Sequence, residues 1–148
     1  MIPRFARATA LTLLCCAPAG ARAPCPDARE AEPIIAATMP IPEGDEQNFA
    51  AHIRRFSLVS GMTLFEIEPT KSVAGAASAG PRYFVFRSPR RSVSLSIKTD
   101  RETALAAVEL TRLCNVDADE DWRLYWENFK RFLDFEGYEL KLEALPSK

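Results

Sequence analysis

Two neighbouring runs constrain the fold more than anything else in the chain. Arg82 to Arg87 (RYFVFR) is aromatic and β-branched, and Val93 to Lys98 (VSLSIK) alternates strictly. In the second run Val93, Leu95 and Ile97 fall on one side and Ser94, Ser96 and Lys98 on the other. A period of two with one apolar side is the pattern of a strand buried on a single face. The five residues around Ser88-Pro89 that separate the runs suit a hairpin loop. An antiparallel sheet with one face to cover is therefore expected, and the rest of the chain has to supply the cover.

Two segments fit that task. Phe49, Ile53 and Phe56 share a helical stripe, with Val59 at its edge, behind Asp45 as a cap and before Gly61 as a stop. This predicts a helix over 45–60. Trp122, Tyr125, Trp126, Phe129, Phe132 and Leu133 repeat at the helical period between a cap at Asp117 or Asp119 and a stop at Gly137. Met62 to Glu68 reads as a strand, and Tyr138, Leu140 and Leu142 alternate in a last strand whose charges suit a sheet edge. Thr103 to Cys114 alternates better than it winds, because a helix would set Glu109 and Arg112 beside Leu105, so it is read as a strand. The order predicts an α+β two-layer sandwich, with a mainly antiparallel sheet of four to five strands and two helices on one face.

Ahead of that domain, at 45–145, the chain changes character. Arg4 and Arg7 precede a short apolar run, Ala8 to Cys16, followed by small residues and proline. This order reads as a secretory signal peptide over 1–21, cleaved after Ala21, and the run is too short to span a bilayer, so no transmembrane anchor is expected. Leu13-Leu14-Cys15-Cys16 also resembles a lipoprotein cleavage box, which makes Cys16 an alternative point of lipid attachment. Residues 22–44 hold Pro24, Pro26, Pro33, Pro40 and Pro42 and read as an extended lead-in, with Ile34 and Ile35 resting on the core. Residues 70–81, rich in Ala, Gly and Ser, read as a flexible loop.

Removal of the leader leaves two cysteines, Cys25 and Cys114. In an exported chain an even pair reads as one disulfide. Closing a loop of about 90 residues would contribute about 4–5 kcal/mol in the chain-entropy view. The expected location is outside the cytoplasm, in the periplasm, or as an outer-membrane lipoprotein if Cys16 is acylated.

Composition narrows the function. Nineteen basic and twenty acidic residues give a net charge of −1, and loss of Arg4 and Arg7 makes it −3, so no global field recruits nucleic acid. His52 is the chain's one histidine, on the edge of the first helix's stripe, where a structural role is expected. That excludes zinc sites built from several histidines, and no metal or cofactor is anticipated. Ser78 lacks the G-x-S-x-G frame of a nucleophile elbow, because residue 76 is Ala. The acids Asp117, Asp119, Glu120 and Asp121 suit a helix N-terminus better than a calcium loop.

One cluster stands out. Between residues 82 and 98 lie Arg82, Arg87, Arg90, Arg91 and Lys98 and no acid. Guanidinium forks fit carboxylates and phosphates, and Pro89 limits the shapes of the loop that carries them. Arg87, Arg90 and Arg91 are thus the candidate contact for a protein or an anionic envelope component. The competing reading is a solvated hairpin tip, or one paired with the protein's own acidic 117–121 run. The expected function is a small non-catalytic binding or accessory module, such as an inhibitor or immunity-type protein. A carrier using the aromatics of the second helix and a small carboxylate hydrolase are the alternatives.

Overall fold

The computed structural model describes residues 31–68, 81–114 and 116–145. The elements, in chain order, are β1 (Ala31–Pro40), α1 (Glu46–Ser60), β2 (Thr63–Ile67), β3 (Arg82–Arg87), β4 (Val93–Asp100), β5 (Leu105–Leu113), α2 (Trp122–Glu136) and β6 (Lys141–Glu143). All pairings are antiparallel, in the order β2-β3-β4-β5-β1-β6. The α+β class is as expected, with six strands where four to five were anticipated.

The register explains which face is covered. Phe84 and Phe86 on β3 stand beside Ile97 and Leu95 on β4, which stand beside Val108 and Leu110 on β5. Together with Ala37 and Met39 on β1, this surface is buried under α1 and α2. Phe49, Ile53 and Phe56 face down from α1, and Trp126, Phe129 and Leu133 from α2. The two layers meet at Phe56. Its ring sits 5.3 Å from Phe86 and 5.2 Å from both Phe129 and Phe132, mostly edge to face. Gly61 (φ 71°) and Gly137 (φ 86°) close the helices in the left-handed conformation that glycine adopts without strain.

Three local expectations need correction. Residues 31–40 are not a lead-in: they form β1, hydrogen-bonded to β5 on one side and to β6 on the other. The prolines are accommodated because β6 covers β1 only over Ala36 to Thr38, and the register shifts between Pro33 and Ile35. Pro33 and Pro40, which have no N–H to donate, thus lie outside the stretch of β1 that has a strand on each side. Asp121, rather than Asp117 or Asp119, caps α2, its carboxylate accepting from Arg123 N at 3.1 Å. Asp45 stands at the start of α1 but makes no capping bond. Its carboxylate instead accepts from Tyr138 Oη at 2.7 Å and from Asn48 Nδ2 at 3.1 Å.

The leader, Cys16, Cys25 and Ser78 lie outside the described residues, so the processing and disulfide expectations remain expectations. Among the described residues no helix is long and apolar enough to cross a membrane.

Phe56 is the most exacting position in this core. Replacement by alanine removes ring contacts to two other elements, β3 and α2, and should cost about 3–5 kcal/mol in urea denaturation. A cost below about 1.5 kcal/mol would mean that the layers are not joined there.

Candidate functional site

The β3–β4 hairpin that carries the arginines is built from its serines upward. Arg91 N donates to Ser88 O at 2.8 Å, closing a turn with Pro89 in its second position, where a fixed φ is already correct. Ser88 N donates to Val93 O at 3.0 Å, and Val93 N donates to Ser88 Oγ at 3.0 Å. Arg91 takes the left-handed conformation (φ 62°), which is unusual for a side chain that is not Gly, Asn or Asp.

The serines at the base of this loop, Ser88 and Ser92, are 2% and 1% exposed. Buried hydroxyls need partners, and a single carboxylate supplies them. Glu120, in the segment leading into α2, accepts through Oε1 from Ser88 Oγ at 2.5 Å, Ser92 Oγ at 2.9 Å and Ser92 N at 3.3 Å. Its Oε2 accepts from Tyr125 Oη at 2.9 Å. Burial on its own would raise the Glu120 carboxyl, but the bonds from Ser88, Ser92 and Tyr125 outweigh it and hold the group below the ordinary glutamate range. Burial, followed by the bond to Glu120, pushes the Tyr125 hydroxyl up to about 12, with the Arg90 charge acting the other way.

The arginines are left facing outward. Arg87, Arg90 and Arg91 are exposed. Among the described residues none of the three has a carboxylate within 4 Å, whereas Arg82 pairs with Glu68 at 2.9 Å and Arg112 with Glu32 at 3.7 Å. The acidic 117–121 run does meet the loop, through Glu120, yet it binds the serines and leaves the guanidinium groups alone. The hairpin is thus a braced loop with three cations that no carboxylate pairs among the described residues, all at one end of the sheet.

The aromatics of α2 are otherwise engaged. Arg123 stacks over Trp122 at 4.6 Å, Tyr125 donates to Glu120, and Trp126 is buried against Phe129. At the opposite end of the sheet lies an open cleft of about 830 Å³, lined by Asp45, His52, Glu136 and Tyr138 among others. Nδ1 of His52 is 2.9 Å from Glu136 Oε2, and its ring meets the Tyr138 ring edge to face at 5.9 Å. Glu136 also pairs with Arg55 at 3.2 Å. Hydrogen bonds from Tyr138 and then Asn48 hold Asp45 below its ordinary range. Sequence reasoning gave His52 a structural place, but not this set of partners, which comes from α1, the end of α2 and the segment that follows it. Among the described residues no group of three or more His, Cys, Asp and Glu is arranged to hold a metal.

No protein family matches the chain, and no curated protein matches it at a significant level.

Glu120 gives the site a pH signature. A carboxyl held low in the folded state stabilises above its unfolded value and loses that contribution as pH falls through the folded value. Folding stability should therefore drop as the pH goes below about 4.5, and Glu120→Gln should flatten that limb in chemical denaturation. At neutral pH Glu120→Ala should cost about 2 kcal/mol, the worth of charge-assisted hydrogen bonds that leave two buried serines unpaired. Arg91→Gly relieves about 1–2 kcal/mol of strain against about 0.5–1 kcal/mol of added chain entropy. It should leave the melting temperature unchanged or slightly raised, and a fall of several degrees would show that the left-handed turn is not strained.

Proposed function

We propose that the protein is a non-catalytic binding or accessory module of the cell envelope. Its contact site is Arg87, Arg90 and Arg91 at the β3–β4 turn, and its partner presents carboxylates or phosphates. One observation carries this reading: among the described residues three exposed arginines have no acid partner, on a loop whose shape is fixed from below by Glu120. A turn ordered in advance loses little backbone freedom on binding, and a guanidinium with no internal partner gives up none to meet a new one. The signal peptide read over residues 1–21 supports a location outside the cytoplasm, and a Cys25–Cys114 disulfide would suit that compartment. An inhibitor or immunity-type role fits a small module of this kind.

The cleft at the other end favours a second reading, a small hydrolase using Asp45, Glu136 and His52. It ranks lower because the bonds from Tyr138 and Asn48 hold Asp45 ionised, and Glu136 is already taken up by His52 and Arg55.

The two readings separate by experiment. The parent protein and an Arg87→Ser/Arg90→Ser/Arg91→Ser variant are presented side by side to envelope extract. The parent should retain a partner that the variant loses, retention should weaken with added salt, and the two melting temperatures should agree within about 2 °C. Equal retention by both proteins removes the turn from the contact.

A further inference from the structure

The two edges of the sheet are treated differently. One edge, β6, has three residues, two of them Lys141 and Glu143, and a short charged strand discourages pairing with another chain. The other edge, β2, is Thr-Leu-Phe-Glu-Ile, with no lysine and no proline. It pairs with β3 on its inner side, and among the described residues nothing pairs with its outer side.

Apolar groups flank this edge on both faces of the sheet. On the face away from the helices Phe65 is 51% exposed and Ile67 54%, next to half-buried Val85 and Tyr83. On the helix side an open groove of about 760 Å³ runs between α1 and β2, lined by Ala51, Arg54, Leu58, Met62, Leu64 and Glu66. Leu58, on the outward side of α1, is 83% exposed. The one charge on the strand is already matched: Arg54 holds Glu66 through both carboxylate oxygens, at 2.8 and 3.1 Å, and Arg82 lies 3.5 Å away.

We infer that β2 is a self-association edge, and that its occupant is β2 of a second copy of this chain. Antiparallel pairing centred on Phe65 sets Phe65 against Phe65 of the second copy, Thr63 against Ile67 and Leu64 against Glu66. Aromatic pairs opposite each other are among the stabilising cross-strand contacts. A two-fold join brings like charges together, which is tolerable here because each Glu66 arrives neutralised by Arg54. The same axis sets the two α1 helices antiparallel on one face of the joined sheet and brings the grooves beside β2 together, so that Leu58 of each copy is covered by the other. A foreign strand would receive the same five residues of ladder and leave Leu58 in water. The second copy covers both faces with one operation, as an isologous interface does. This inference is independent of the arginine turn.

Sedimentation equilibrium of the purified protein over a concentration series tests it. Twice the chain mass is expected. Phe65→Lys and, separately, Leu58→Lys should each raise the dissociation constant by about thirtyfold or more. Leu142→Lys, on the opposite edge, should leave it unchanged. Both key positions are exposed in the single copy, so circular dichroism and melting of the dissociated variants should match the parent monomer. Hydrogen exchange at the outward amides of β2 should slow as concentration rises. A monomer throughout the series overturns the inference, as does a dimer that both variants leave intact. Protection of β2 that appears only on adding an extended peptide also overturns it, and would assign the edge to a foreign strand.

Discussion

The structure hangs on the cluster of rings around Phe56. A sheet with one apolar face is stable only if that face is dried, and two helices of fifteen residues each have to cover it without touching everywhere. Phe56 meets the sheet at Phe86 and the other helix at Phe129 and Phe132, so one side chain holds sheet, α1 and α2 in a single packed unit. The short distances make the layers mutually dependent. α1 cannot shift along the sheet without opening a void, and voids at large rings are among the costliest defects in a core. With the layers fixed and the strands antiparallel, the connections are pushed to the two ends. One end carries the arginine turn and the start of α2. The other carries the start of α1, the β4–β5 turn, Glu136 and Tyr138.

At the first end the deciding effect is saturation of one carboxylate. Glu120 takes four donors, three on Oε1 and one on Oε2, and all of them are neutral hydroxyls or a backbone N–H. The obvious expectation is an ion pair between this acid and the nearby arginines. The serines win because they are buried and cannot turn to water, whereas the arginines can. An exposed ion pair contributes at most about 1 kcal/mol, and an unpaired buried hydroxyl costs more than that. The acid is therefore spent on shape, and the charge of the turn stays available to something else.

Much of the frame was legible because it rests on local periodicity. The β3–β4 hairpin, the strand over Leu105–Leu113 and both helical stripes follow from the spacing of apolar residues, and Gly61 and Gly137 mark the stops. β1 was missed because Pro33 and Pro40 argue against an inner strand. The structure meets that objection by pairing β6 only between them and shifting register at Pro33. The arginines of the site were legible as a charge cluster. Their brace was not, since Ser88 and Glu120 lie 32 residues apart and no periodic signal links them. The same applies to Tyr138 and Asp45, 93 residues apart. Asp45 reads as a cap from its neighbours alone and turns out to hold a tyrosine from the far end of the chain.

The two non-glycine residues in the left-handed region show how strain can be placed. Ala104 (φ 53°), in the β4–β5 turn, aims its carbonyl at Ile41 N, 2.9 Å away, and so ties that turn to the end of β1. The strain there has a structural return, and a small side chain keeps it low. Arg91 closes its turn with the same kind of backbone bond, to Ser88 O, but carries a long charged side chain where glycine would relax the backbone. That side chain is exposed and, among the described residues, has no acid within 4 Å. A strained residue that meets no acid among the described residues suits the external contact proposed for it, the inference running from outlier to role. The loop therefore divides its work. Ser88, Ser92 and Glu120 fix the shape, and Arg87, Arg90 and Arg91 present charge on it, so the proposed contact and the stability rest on different side chains at neighbouring positions.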